Sequence, residues 1–143
     1  MTDLIYKDEC FKIIGACIEV HSEMGSGFLE SVYQECLEIE NEHQRVPFVS
    51  REALRLFYRG RELKQKFIPD LICYGKVIVE LKAVDKIMDE HRAQVINYLN
   101  ATGYRLGVLV NFGGHPKMEW ERLVHTKNVT RPADQKPISL PVE

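Results

Sequence analysis

The stretch PDLICYGKVIVELKA, residues 69–83, sets Asp70, Glu80 and Lys82 into two apolar segments joined around Gly75. A packed sheet favours β-branched residues at such positions, so acids there need a reason. If the segments pair as a hairpin symmetric about Gly75, Asp70 faces Glu80, Ile72 faces Ile78 and Ile68 faces Lys82. Directly opposed residues share a face, with Cβ atoms roughly 4.5–5.5 Å apart. The two-residue period of a strand adds Lys82 to that face. Two carboxylates so placed repel, most of all where the sheet is dry. A divalent cation relieves that repulsion, and Mg2+ takes one or two carboxylates together with waters and phosphate oxygens. The competing account is a solvated salt-bridge network in which a pair is worth under ~1 kcal/mol, and a short D…ExK pattern is frequent by chance. Register decides between them. A two- or four-residue loop turns Asp70 and Glu80 to opposite faces unless a bulge near Pro69 restores them.

The elements that must position these residues follow from periodicity. Between Leu4 and Met24, Phe11, Ile14 and Ile18 recur at spacings of three and four, widened by Ile13, Cys17 and Val20, which predicts an amphipathic helix ended by the glycines at 25 and 27. Leu29, Val32, Tyr33, Cys36 and Leu37 predict a second helix from Phe28 to about His43. Strands are expected at EALRLFYRG, turning at Gly60, and then at KFIPDLIC and KVIVELKAV, with Pro69 marking an edge or a bulge. DKIMDEHRAQVINYLNATG reads as a helix capped by Gly103, and RLGVLVNFG as a strand covered on both faces. The order is ααβββαβ. MEWERLV adds a final strand or begins a helix. Residues 126–143 are Pro-rich with little apolar periodicity and read as a flexible tail to a single domain over residues 1–125.

Composition bounds the function. The 143 residues suffice for one core, and a net charge of −2 gives no global drive toward nucleic acid, so any such binding requires a local patch. Arg51, Arg55, Arg59, Arg61, Lys64 and Lys66 precede the acidic pair; 51, 55 and 59 differ by even numbers and would share a strand face as a positive track, although a solvated strand face is the commoner origin of such a series. The four cysteines, at 10, 17, 36 and 73, have no metal-finger spacing and read as reduced, mostly buried thiols. No apolar run approaches the ~18 residues of a membrane span, and the N-terminus lacks a signal pattern, so a cytoplasmic protein is expected.

In order and spacing these pieces resemble the small GxxExxY proteins of the PD-(D/E)xK nuclease-like superfamily. GFLESVY supplies Gly27, Glu30 and Tyr33, PD supplies Asp70, ELK supplies Glu80 and Lys82, and AQVINYL supplies Gln94 and Tyr98, similar to the QxxxY element of the lambda-exonuclease-like branch. The resemblance covers about residues 10 to 125. It implies an α/β, restriction-endonuclease-like core: a small mixed β-sheet flanked by helices. It further implies Asp70 and Glu80 as Mg2+ ligands (Mn2+ as a substitute), the Leu81 carbonyl as a further ligand, and Lys82 orienting or deprotonating the attacking water. Glu30 would complete the acidic cluster directly or through water, though an acid in a first helical turn is equally explained by the helix dipole. Gln94 and Tyr98 share a helix face that would meet the phosphate or hold Lys82, against core packing for Tyr98 and a solvent-facing ring for His91.

The function implied is metal-dependent hydrolysis of nucleic-acid phosphodiesters. A non-cleaving binding or regulatory module, or a partner subunit of a larger nucleic-acid machine, stays open beside it; the intact acidic cluster tips the balance to an enzyme. Nucleic acid is the expected partner, DNA ahead of RNA, although no residue pattern separates the two. A homodimer is one way a chain this small would engage a duplex.

Overall fold

The computed structural model describes residues 4–126; the expected tail falls outside the described residues apart from Thr126. Helices α1 (Lys7–Met24) and α2 (Glu30–Gln44) are followed by β1 (Phe48–Ser50), β2 (Leu54–Tyr58), β3 (Arg61–Phe67), β4 (Leu71–Cys73) and β5 (Val77–Lys82). Helix α3 (Asp89–Thr102), β6 (Leu106–Asn111) and β7 (Glu119–Val124) complete the order. Five strands form one mixed sheet in the order β1–β4–β5–β6–β7, while β2 and β3 pair as a separate ribbon. Among the described strands of this sheet only β5 and β6 run parallel, because α3 carries the chain back between them; the other pairs are antiparallel. This is the mixed sheet with flanking helices expected of a restriction-endonuclease-like core.

Two apolar layers sandwich the sheet. Leu71, Cys73, Val77, Val79 and Leu81 face the helix pair through Ile13, Cys17, Tyr33 and Leu37. The alternate residues Ile72 and Ile78 face α3 and the β2–β3 ribbon through Val95, Leu99, Leu54 and Phe67. Strand β6 is buried at every position, as its unbroken apolar run predicts. Gly103 caps α3 at φ 86°, its N–H bonded to the Leu99 carbonyl, and Gly25 ends α1 at φ 74°.

Several expectations are corrected. Phe11 and Ile18, placed in the α1 stripe, are 78% and 53% exposed, and the buried face runs instead through Cys10, Ile13, Ala16, Cys17 and Val20. KFIPDLIC is not one strand: β3 stops at Phe67, Pro69 interrupts pairing, and β4 begins at Leu71. RELKQKF forms its own strand against β2 and Phe48–Ser50 adds a short edge strand, so five strands, not three, lie between α2 and α3. EWERLV takes the strand alternative. The four cysteines are free, as expected, and burial pushes the Cys73 thiol up to about 12, which leaves it protonated and unfit as a nucleophile.

Candidate functional site

The β4–β5 turn sets the register. Tyr74 and Gly75 both hold positive φ, 57° and 69°, and the Lys76 N–H bonds the Cys73 carbonyl at 3.1 Å. Positive φ at both central residues is the twist that a tight hairpin demands, and glycine meets it without strain. Three residues separate the strands, so Cys73 pairs with Val77, Ile72 with Ile78 and Leu71 with Val79. One step further, Asp70 stands opposite Glu80, as symmetry about Gly75 predicts. Asp70 lies just beyond β4, and its Oδ2 accepts the Leu81 N–H at 2.7 Å. Its carbonyl accepts two further bonds, from the Arg51 N–H at 3.1 Å and from Gln34 Nε2 at 2.9 Å. Three separate segments thus hold one aspartate.

Glu80 and Lys82 follow Ile78 at the two-residue period and share its face of the sheet. Burial, above all, raises the Glu80 pKa well above the carboxylate range; the Asp70 charge and a hydrogen bond with Asp70 push it in the same direction, and Lys82 offsets only part of this. Burial and the facing Asp70 charge thus both favour the protonated form of Glu80 when no cation offsets them. Lys82 forms no direct ion pair among the described residues, whose bridges use other groups. The burial of Glu80 and the lack of a direct Lys82 ion pair among the described residues both run against a solvated salt-bridge network.

Gln34, which the sequence pattern did not single out, sits one helical turn after Glu30 and is 6% exposed. Its Nε2 donates to the Asp70 carbonyl and, at 3.0 Å, to Glu38 Oε2, which also accepts the Ser50 hydroxyl at 2.7 Å. Both partners are acceptors, which fixes the orientation of the amide. The buried Oε1 then has no partner among the described residues. The available signal was a glutamine flanked by the stripe residues Tyr33 and Leu37, on the Glu30 face. Glu30 itself is exposed at the first position of α2, and no three His, Cys, Asp or Glu side chains among the described residues are grouped to share a metal. Glu30 is thus not grouped directly with Asp70 and Glu80 among the described residues. At the start of α2, Gly27 at φ 113° and Tyr33 shape the helix entry: the Tyr33 hydroxyl donates to the Gly25 carbonyl and accepts from the Phe28 N–H, while its ring stacks on Phe112 at 4.6 Å.

On α3, Tyr98 stacks flat on Phe67, centroids 3.9 Å apart, so its ring packs as core three residues upstream of Asp70. Gln94 is exposed in a groove between α3 and the β2–β3 ribbon. His91 is spent locally, its Nδ1 accepting the Met88 N–H at 2.9 Å. Arg51, Arg55 and Arg59 do not share a regular strand face. Arg51 and Arg59 sit outside β2 at φ 54° and 52°, and the β2–β3 register shifts between Arg55 and Phe57, which breaks the even-number count.

Beyond Lys82, the buried Asn111 grips the segment leading to α3. Its Oδ1 accepts the Val84 and Gly113 N–H groups, and its Nδ2 donates to the Val84 carbonyl and to Glu119 Oε1, which also accepts the Ile87 N–H. An asparagine ending an apolar run was the readable signal. The close approach requires glycine at 113, where a Cβ would lie 2.2 Å from the Val84 carbonyl oxygen.

A family model described as the PD-(D/E)XK nuclease superfamily matches residues 7–123. Among solved structures, the chain is similar to the one titled "Crystal structure of SSO0001", with a TM-score of 0.52 and 18% identity over 86% of this chain and 59% of that one. That likeness bears on the fold, and this chain spans about three fifths of that protein's length. A search of curated proteins returns no match.

Proposed function

The chain belongs to the PD-(D/E)XK nuclease superfamily, and from that premise we propose that it is a metal-dependent nuclease or related phosphodiesterase, with Asp70, Glu80 and Lys82 at its centre. The observation that carries this reading is geometric: the β4–β5 register sets the partly buried Glu80 against Asp70, and the charge of Asp70 acts on Glu80 in the direction a cation would relieve. Two carboxylates suit Mg2+, with Mn2+ as its substitute, because these ions keep waters and phosphate oxygens as their other ligands. The Leu81 carbonyl is the third candidate donor. In an extended strand, N–H and C=O of one residue point to the same side, so this carbonyl faces the Asp70 side, where Pro69 brings no N–H to claim it. When bound, the ion polarises a phosphoryl oxygen and lowers the pKa of its water.

The chain's own groups supply the remainder. Lys82, in no direct ion pair among the described residues, stabilises the charge developing on the phosphoryl oxygens and orients the attacking water. Asp70, held at its carbonyl and at one carboxylate oxygen, presents the other oxygen in a fixed direction. Gln94 is the amide that meets substrate, and Tyr98 acts by positioning, bracing Phe67 and the chain that runs on to Asp70. We further assign the chain to the GxxExxY group on Gly27, Glu30 and Tyr33, with DNA ahead of RNA as substrate and the cytoplasm as its location; no helix of the described residues is long and apolar enough to cross a membrane. A non-cleaving binding module on the same fold is the second reading, favoured by the exposure of Glu30, which is not grouped directly with the other two acids among the described residues.

Labelled single- and double-stranded DNA and RNA incubated with Mg2+ or Mn2+ separate the readings. Cleavage by the native chain, abolished in Asp70→Ala and Lys82→Ala, is the expected result. Nucleic-acid binding without any metal-dependent cutting would favour the module.

A further inference from the structure

The β2–β3 ribbon stands apart from the main sheet and encloses, with α3, a groove of about 770 Å3. This lies within the roughly 300–1,000 Å3 typical of small-ligand sites. Its apolar wall is Leu56, Phe57 and Leu63 from the ribbon; the exposed amides of Gln94 and Asn97 and the Tyr98 ring line α3, with Glu90 the acid on this wall. Charge is concentrated on the ribbon side. Between residues 54 and 67 there are five basic residues and one acid, on a chain whose net charge is −2. The acid, Glu62, is taken by Lys66 at 2.6 Å, while Arg59, Arg61 and Lys64 stay exposed. Tyr98, which lines the groove, rests on Phe67, and Phe67 belongs to the layer packed on Ile78, whose sheet face also carries Glu80 and Lys82 at the two-residue period.

We propose that this groove takes unpaired nucleobases, so that the strand presented to Asp70 and Glu80 is single-stranded. The inference rests on the nuclease reading for its orientation toward the acids, and on the groove's own chemistry for its occupant. A base in a duplex has its faces covered by neighbours and its edge by its partner, whereas an unpaired base offers both. Phe57 and its aliphatic neighbours suit the faces. Gln94 and Asn97, each with a donor and an acceptor, suit edges of either polarity without selecting one base. The basic ribbon follows the phosphates, the combination of stacking wall and positive track used in single-strand binding.

The test is anisotropy with the full chain in EDTA, using a labelled 12-nucleotide strand as DNA and as RNA, the same strand with abasic central positions, and a blunt duplex. The intact strand should bind about tenfold more tightly than the abasic strand or the duplex, and Phe57→Ala should lose about that factor, since base–aromatic stacking carries that part of the affinity. Asn97→Asp, at an exposed helical position that does not endanger folding, should weaken the intact strand and spare its preference over the duplex only in part. Lys64→Glu should weaken all three probes. Equal binding of intact and abasic strands, preference for the duplex, or full affinity in both groove variants would overturn the inference. Because the metal is chelated, the two readings fail separately: base-dependent binding with no cutting after Mg2+ is added removes hydrolysis alone, and cutting with no base dependence removes the groove alone.

Discussion

The Asp70 carboxylate accepts the Leu81 N–H at 2.7 Å, a side chain closing the ladder where Pro69 interrupts strand pairing. Asp70 therefore has a structural and a chemical duty, and substitution separates them. Asp70→Asn keeps an acceptor for Leu81 and removes the charge facing Glu80, so its metal-free stability should equal or exceed that of the native chain while metal uptake and cleavage are lost. Asp70→Ala leaves the N–H unpaired and should cost about 1–3 kcal/mol. Urea unfolding beside a cleavage assay reads both; equal stability of the two variants would remove the structural duty.

Glu80 makes metal-free stability depend on pH with a definite sign. Its folded pKa lies above the ordinary 4.5, chiefly through burial and next through the Asp70 charge. Above 4.5 the folded state thus binds more protons than the unfolded chain. The contribution is fully present below 4.5 and is lost as pH rises through neutrality toward the folded value. Chelated protein should show its melting temperature falling across this window, Glu80→Gln should flatten the fall, and Mg2+ should reverse it while releasing a proton measurable by calorimetry in buffers of different ionisation enthalpy. A native profile identical to that of Glu80→Gln would contradict the burial argument.

Gln34 bridges the Asp70 carbonyl and Glu38, so it should govern metal affinity without touching the ion. Groups that orient ligands from behind typically change metal affinity by about 10–100-fold when removed. Gln34→Met should weaken Mn2+ binding within that range, and Gln34→Lys, which restores a donor to both acceptors, should recover most of it. Titration calorimetry decides; unchanged affinity in the methionine variant would make the amide a packing element only.

The ring of Tyr98 is committed to Phe67, whatever its hydroxyl does. Tyr98→Phe should retain stability and most of the activity, whereas Tyr98→Ala should lose on the order of 3–5 kcal/mol and slow cleavage by loosening the chain before Asp70. A large loss of kcat in Tyr98→Phe at unchanged stability would assign the hydroxyl a direct part.

Gly113→Ala would drive a Cβ into the Val84 backbone, displacing the segment that leaves Lys82. Destabilisation of about 1–3 kcal/mol, with weaker cleavage, is expected. Thermal melts that match the native chain would show that the segment yields freely.

What the sequence determined is local. Strict alternation puts Glu80 and Lys82 on one face, because the side-chain period of a strand is two, while the phase that sets Asp70 opposite Glu80 was one of the registers the sequence allowed and the three-residue connection selects it. Helix ends at Gly25 and Gly103 were legible for the same reason, since positive φ is a property of the residue itself. The tertiary structure decided the rest. Gln34 reaches Asp70 across 36 residues, Glu30 on the same helix is left exposed, and Arg51, Arg55 and Arg59 are parted by positive φ and a shifted register. The α1 stripe drifted likewise, with Phe11 and Ile18 outside, because periodicity defines a face and only packing chooses which edge of it the sheet covers. Which side chains meet across distant segments depends on how whole elements dock, and no short-range pattern in the chain encodes that distance.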